Sequence, residues 1–435
     1  MRLIASFTML IVAVPGFSQP QVAPPEKYAA AVAQIEKLVT QELADKRLPA
    51  ISIAITDDQT VVWAKGFGVA DSVTKAPATA ETVYRVGSVS KLFTDIGIMQ
   101  LVETNVIKLD APITDYLPRF APKNAFGKPI TLRQLMAHHA GLGREPPVGN
   151  YFDNENSSLE KMVESLNSTE LVYAPKSKLK YSNAGVAVVG YVLQKKLCKP
   201  FTSYLKEAVL TPIGMVHSSF EPEAEIKKHL AQGLMWTLHG RQFPAPTFEL
   251  AIAPAACMYS TVLDLAQFMK VLAADGMGPK CRVLSKKSIE AMWKPQFTGA
   301  STKPQVGLGF FIDTLNGHRL VGHNGAIYGF STDLAYLPED KLGAVVTITL
   351  DCVNPVAERI SHFALDCMLA ARDGKPLPEV VSSKPVDPSW LNFLDGNWAE
   401  LNGSRKMRID ALGGDYGCCL PAAARRSSCD RLVMS

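Results

Sequence analysis

A serine and a lysine three residues apart, in Ser88-Val-Ser-Lys91, offer a nucleophile beside an amine. Further along, Tyr181-Ser-Asn183 offers a phenol beside an amide, and His323-Asn-Gly325 an imidazole beside a glycine. In that order they supply what is needed to make and break an acyl-serine without a Ser-His-Asp triad. An amine held against a serine hydroxyl in a poorly solvated cleft has a lowered pKa and can take the hydroxyl proton. A tyrosine near Lys91 could shuttle that proton to the leaving group. Asn183 could donate to a substrate amide carbonyl.

None of the motifs is selective alone. Ser-x-x-Lys recurs, for instance at Ser158–Lys161, Ser177–Lys180 and Ser203–Lys206; His-x-Gly recurs at His139–Gly141, and Lys341-Leu-Gly343 would serve as its lysine version. Tyr-x-Asn is unique. Order, spacing and surroundings carry the discrimination. His139 precedes Tyr181 and is out of order, and Lys341 lies in a hairpin turn.

The elements that must position these groups are legible. Glu81–Gly87 reads as a short extended stretch closed by glycine, and Leu92, Ile96 and Met99 then recur at helical spacing. Ser88 is thus placed at or near a helix N-terminus, whose free N–H groups favour an oxyanion. Lys91 shares its face at i+3. Tyr181 and Asn183 follow a Pro-marked loop and precede an apolar helical run, Ala184–Leu193. His323 lies in Leu320–Gly329, followed by strand Ser331–Leu337, the turn Pro338-Glu-Asp340 and strand Gly343–Leu350, an antiparallel hairpin. Gly325 would permit close backbone approach, as an edge strand needs to hold a substrate. The bland readings are a serine cap beside a solvated lysine, and an Asn183 cap beside a packed Tyr181.

With these motifs in place, the chain resembles the serine β-lactamase and D-alanyl-D-alanine peptidase family. The likeness is to its class C-like branch, which includes related esterases and D-amino-acid peptidases. The resemblance extends to Ile51–Ala64 with Gly66-Phe-Gly68, to Ile130–Leu142, to Ala255–Thr261 with Asp264-Leu-Ala266, and to Gly307-Leu-Gly309. It runs from about Lys27 to about Arg372. It implies an α+β fold: an antiparallel sheet flanked by N- and C-terminal helices, with a mainly helical insertion and a site at the seam. Helices are expected at Tyr28–Lys46 and Pro355–Ala371.

The resemblance also implies roles. Ser88 would be acylated, and Lys91 and Tyr181 would share the roles of base and proton donor. The N–H groups of Ser88 and Ala326 would hold the oxyanion, and Asn183 would orient the acyl amide. His323, often lysine in class C β-lactamases, would support the hydroxyl–phenol network and give a weaker, pH-dependent hold on a substrate carboxylate. The expected function is an exported hydrolase of amide or ester bonds in β-lactam or D-Ala-D-Ala-like substrates. The alternatives are a carboxylesterase on the same machinery and a slow-turnover penicillin-binding protein. Absence of Gly-x-Ser-x-Gly disfavours an α/β-hydrolase. Glu164 has the wrong spacing for a class A deacylating glutamate and reads as a solvated helix face.

Length, charge and cysteine use bound the rest. The chain has 435 residues and a formal charge of +4, spread along its length, so no nucleic-acid or membrane-surface partner is expected. The expected partner is a small-molecule or peptide substrate; oligomeric state is left open. Residues 1–18 read as a secretory signal, which places the protein in the periplasm or outside the cell, without a membrane anchor. A Pro-rich leader follows at 19–26. Cys198, Cys257, Cys281, Cys352 and Cys367 are expected as small core residues with at most one pair. The histidines show no metal spacing, and no metal or organic cofactor is expected. Residues 27–372 form the hydrolase domain, 373–389 a Pro-rich linker, and 390–435 an incomplete β-type segment whose last part, from Gly413, shows no strand periodicity.

Overall fold

The computed structural model describes residues 22–153, 155, 157–237, 241–297 and 305–381, with the backbone of strands Gly396–Ala399, Lys406–Leu412 and Asp415–Cys419. The helices that build the site and its support are α1 (Glu26–Asp45), α2 (Ser90–Glu103), α3 (Asn183–Leu197), α4 (Val262–Ala273) and α5 (Asn354–Asp373). The main sheet contains β1 (Ala50–Asp57), β2 (Thr60–Gly68), β3 (Gln305–Val306), β4 (Phe311–Leu315), β5 (His318–Ile327), β6 (Phe330–Leu337) and β7 (Leu342–Ile348).

Its order is β2-β1-β7-β6-β5-β4-β3, antiparallel throughout. Strand β1 joins β7 with Ile53 opposite Val346, so the two ends of the chain share one sheet. Period-2 alternation divides its faces. Ile51, Ile53 and Ile55 of β1 and Val346 and Ile348 of β7 pack outward with Ile35 of α1 and Ile360 and Leu365 of α5. On the inner face Ala54, Ala64 and Val345 join Phe268 and Met269 of α4. The small inner residues let the helix sit close: a Cβ at Gly343 would fall 2.5 Å from Met269 Sδ.

The helical insertion lies between β2 and β3. Helix α2 is its centre and is buried on nearly every side from Ser90 to Met99, polar residues included. The three-residue apolar stripe in the sequence understated this, because α2 is enclosed by α3 and by the 253–256 helical turn as well as by its own stripe. The antiparallel sheet, the flanking helices and the helical insertion all stand as the sequence implies.

The cysteines differ from expectation. Cys257 and Cys367 are buried, but Cys198, Cys281 and Cys352 are exposed, and no disulfide forms among these five. Helix ends and turns hold the exposed ones: Cys198 caps α3 in a left-handed conformation. In the tail, Lys406–Leu412 pairs with Gly396–Ala399 on one side and Asp415–Cys419 on the other. That third strand falls in a stretch without strand alternation, since pairing depends on backbone groups that no side-chain pattern records. The signal, the leader to residue 21 and linker residues 382–389 lie outside the described residues.

Candidate active site

The chain reaches Ser88 through a pinched turn. Tyr84–Arg85 pairs with Tyr259–Ser260, and Val86 N–H donates to the Met258 carbonyl at 3.0 Å. Gly87, with φ +54°, swings the backbone into the single turn Gly87–Val89 that feeds α2. Ser88 therefore precedes α2 rather than capping it. A Cβ on Gly87 would fall 2.6 Å from Ala326 N, and one on Gly325 would fall 2.0 Å from the Val86 carbonyl oxygen and 3.2 Å from Ser88 N. Two glycines thus press β5 onto the serine turn, bringing the N–H groups of Ser88 and Ala326 into one neighbourhood. Strand β4 pairs only with the His318–Gly322 half of β5. Strand β5 is interior there and has an edge only from His323 onward, a finer version of the edge expected at Gly325.

Lys91 is fully buried one turn further on. Its Nζ lies 2.9 Å from Ser88 Oγ, 2.8 Å from Asn183 Oδ1 and 2.7 Å from the Ala255 carbonyl oxygen. Burial pushes its pKa down to about 7, with Glu145 pulling up and Arg144 pushing further down. A neutral amine here has two N–H groups for the two carbonyl-type oxygens. Its lone pair is then left for the Ser88 proton. Asp95, one turn beyond, is fully buried, and neither carboxyl oxygen has a partner among the described residues. Burial drives its pKa well above the usual carboxyl range, against the pull of Lys91.

Tyr181 donates its hydroxyl proton to Ser88 Oγ at 2.8 Å. Burial raises its pKa, so the phenol stays protonated. Its ring packs on His138 at 4.3 Å between centroids and on Phe311 at 6.2 Å, with the Arg144 guanidinium 5.1 Å from its centroid. Asn183 is not the cap of α3. Ser182 caps it, accepting from Gly185 N–H at 2.9 Å. That frees the Asn183 side chain: Oδ1 accepts from Lys91, and Nδ2 donates to Glu145 Oε1 at 2.6 Å.

His323 is buried against Phe311, 4.6 Å between centroids. Its Nδ1 lies 2.5 Å from the Asn324 carbonyl oxygen. A carbonyl only accepts, so Nδ1 carries the proton and Nε2 is an acceptor, without a partner among the described residues. Burial, reinforced by Lys91, lowers its pKa to about 3. This imidazole is therefore harder to protonate than an exposed histidine, which weakens further the expected pH-dependent hold on a carboxylate.

All the sequence-predicted residues meet here: Ser88, Lys91, Tyr181, Asn183, His323, Gly325 and Ala326. The decoys do not. Ser158 caps a short helix, accepting from Lys161 N–H at 3.2 Å; Lys341 sits in the hairpin turn paired with Asp58; Glu164 is exposed. The sequence reading missed His138, Arg144, Glu145 and Tyr151, whose hydroxyl donates to the Ala326 carbonyl at 2.9 Å. Arg144 and Glu145 follow the Ile130–Leu142 segment after a single glycine, which was the one available signal. Among the described residues, no group of three or more His, Cys, Asp or Glu side chains could hold a metal ion, and no helix is long and apolar enough to cross a membrane.

A nucleophile with a neutral amine on one side and a protonated phenol on the other can undergo acylation and return the proton to a leaving group. The family described as Beta-lactamase matches residues 35–365. "Beta-lactamase-like protein 2" of Dictyostelium discoideum is 26% identical over 332 residues, 74% of this chain and 60% of that protein. "Protein flp" of Staphylococcus aureus is 26% identical over 324 residues, 73% of this chain and 63% of that protein. The matches thus span about three fifths of these relatives' length. An octameric penicillin-binding protein homologue from Pyrococcus abyssi superposes with a TM-score of 0.71 at 27% identity, covering 88% of this chain and 86% of the other. The fold is also that of EstCE1, described as a hydrolase with promiscuous acyltransferase activity, at a TM-score of 0.65 and 20% identity over 77% of this chain and 98% of that one.

Proposed function

The chain belongs to the beta-lactamase family, and from that premise we propose that it is a serine hydrolase that forms an acyl-enzyme on Ser88. One observation carries the reading: the Ser88 hydroxyl lies between the Lys91 amine at 2.9 Å and the Tyr181 hydroxyl at 2.8 Å. Lys91 takes the Ser88 proton as Oγ bonds to the substrate carbonyl. The N–H groups of Ser88 and Ala326 hold the oxyanion, where one such donor is worth roughly 3–4 kcal/mol. Tyr181 protonates the departing amine or alkoxide and is reprotonated from the Lys91 ammonium. Water then enters, gives a proton to the same pair, and releases the acid.

The substrates are esters or amides, including β-lactam and D-Ala-D-Ala-like bonds. Neutral His323 supports the carboxylesterase reading, since it gives a substrate carboxylate no charge to bind. Arg144, half-exposed over the Tyr181 ring, supports carboxylate-bearing peptides and β-lactams as the second reading. The secretory signal read at residues 1–18 supports work outside the cytoplasm.

A panel of p-nitrophenyl esters, D-alanyl peptides and a fluorescent penicillin tests the reading, with a time chase of the label. Rapid ester release without labelling supports the esterase. Fast loss of label supports a β-lactamase, and a label that persists supports a penicillin-binding protein. If Ser88→Ala kept every activity, the acyl-enzyme assignment would fail.

A further inference from the structure

We infer that Glu145 is a positioning residue that sets which way the Asn183 amide faces, and thereby whether the Lys91 lone pair is available to Ser88. This rests on the acyl-enzyme reading above.

Glu145 Oε1 accepts from Asn183 Nδ2 at 2.6 Å, and Arg144 Nε lies 3.4 Å from the same oxygen. An ionised carboxylate only accepts, so it admits only the NH2 end of Asn183. The Oδ1 end must then face Lys91, where it is found at 2.8 Å. With Oδ1 and the Ala255 carbonyl as acceptors, both N–H groups of a neutral Lys91 are committed, and its lone pair points to the serine. A flipped Asn183 would present N–H to Lys91 instead. The lone pair would be engaged by the amide, and the serine would lose its base. Among the described residues the Asn183 side chain bonds only Lys91 and Glu145, so the carboxylate is what excludes that flip.

Charge acts on the same amine in the opposite sense. The groups acting on Lys91 are Glu145 and Arg144 from the loop before α3, Asp95 from α2 and Cys257 after the 253–256 turn. His138 and His323 feel Lys91 in turn, and Tyr181 donates to the serine it shares. Among the charged neighbours Glu145 is the strongest, and it favours the ammonium. Burial raises the carboxyl's own pKa, with Asn183 and Arg144 lowering it. Oε2 is buried and has no protein partner among the described residues. The carboxylate is therefore spent on Asn183 and on the field at Lys91.

The test is a pH profile of kcat/KM for wild type, Glu145→Gln and Glu145→Ala on the best substrate of the panel. Both variants remove the negative charge, so the acid limb should move to lower pH by roughly one unit, the low end for loss of a nearby opposite charge. Glu145→Ala also frees the amide, and its high-pH plateau should fall about tenfold or more. Glu145→Gln can still turn an oxygen toward Asn183 and should recover most of that loss. Melting temperatures show that each variant is folded. An unmoved acid limb in both folded variants would overturn the inference, as would an Ala plateau equal to the Gln plateau. If wild type formed no Ser88 adduct, the acyl-enzyme reading itself would fail, which is a separate result.

Discussion

Gly325 touches the carbonyl of Val86 so closely that a Cβ would sit 2.0 Å from its oxygen. This contact joins the third motif to the first across most of the chain, and it sets where Ala326 N–H stands relative to Ser88. A glycine that looks like a strand flaw is the hinge-point of the oxyanion geometry.

Gly325→Ala should therefore lower kcat by about a hundredfold, the order seen when one oxyanion donor is displaced. Gly87→Ala should do the same, with added strain from its φ of +54°. Steady-state kinetics beside thermal melting checks this. Full activity in a folded Gly325→Ala protein would sink the close-approach account.

The acylation rate should rise with pH through about 7, where Lys91 loses its proton. The sign follows from its role: the base works only when neutral, and burial is what makes it neutral near pH 7. Stopped-flow acylation across pH 5–9 measures it. A flat profile there would argue against Lys91 as the base.

His323 should contribute no titration between pH 5 and 8, because burial holds its pKa down at about 3. The ratio of kcat/KM for a carboxylate-bearing substrate to that for its neutral analogue should stay constant over that window. A ratio that climbs as pH falls through 6.5 would show an imidazolium anchor after all.

Asp95→Asn should stabilise the protein more at pH 7 than at pH 4. A raised folded-state pKa means the native carboxyl keeps its proton while the unfolded one ionises. Stability is therefore lost as pH rises above the ordinary carboxyl range, by up to about 1.4 kcal/mol per unit. Asparagine removes that dependence. Urea unfolding of both proteins at the two pH values decides it, and an equal difference at both would refute the buried-acid account.

Leu365→Ala should cost about 2–5 kcal/mol of stability and leave kcat nearly unchanged. Leu365 is fully buried in the outer layer between α5 and the sheet, on the far side from Ser88. Denaturant unfolding beside kinetics tests the separation, and a large fall in kcat at full folding would contradict it.

Much of this was legible in one dimension. Period-2 runs such as Ile51, Ile53 and Ile55 announce a two-faced strand, and the stripe of Ile35, Leu38 and Val39 announces the helix that covers it. The nucleophile, its amine and the phenol were marked by their order and by the glycine before Ser88. Glu145 was not marked, because its link to Asn183 spans 38 residues and depends on which way a loop side chain turns. The burial of α2 on all sides was also hidden, since periodicity reports one partner and α2 has several.

The sequence by itself supplied the residue types for the proposed acyl transfer, because Ser88, Lys91, Tyr181 and Asn183 are chemically suited to it wherever they meet. Only the tertiary structure decided their protonation. Proton loss from Lys91 and His323 is favoured by the same burial, which brings Lys91 down to about 7 and His323 to about 3, an effect of solvent exclusion that no local spacing encodes. One becomes a base by that loss, and the other gives up its claim on a carboxylate.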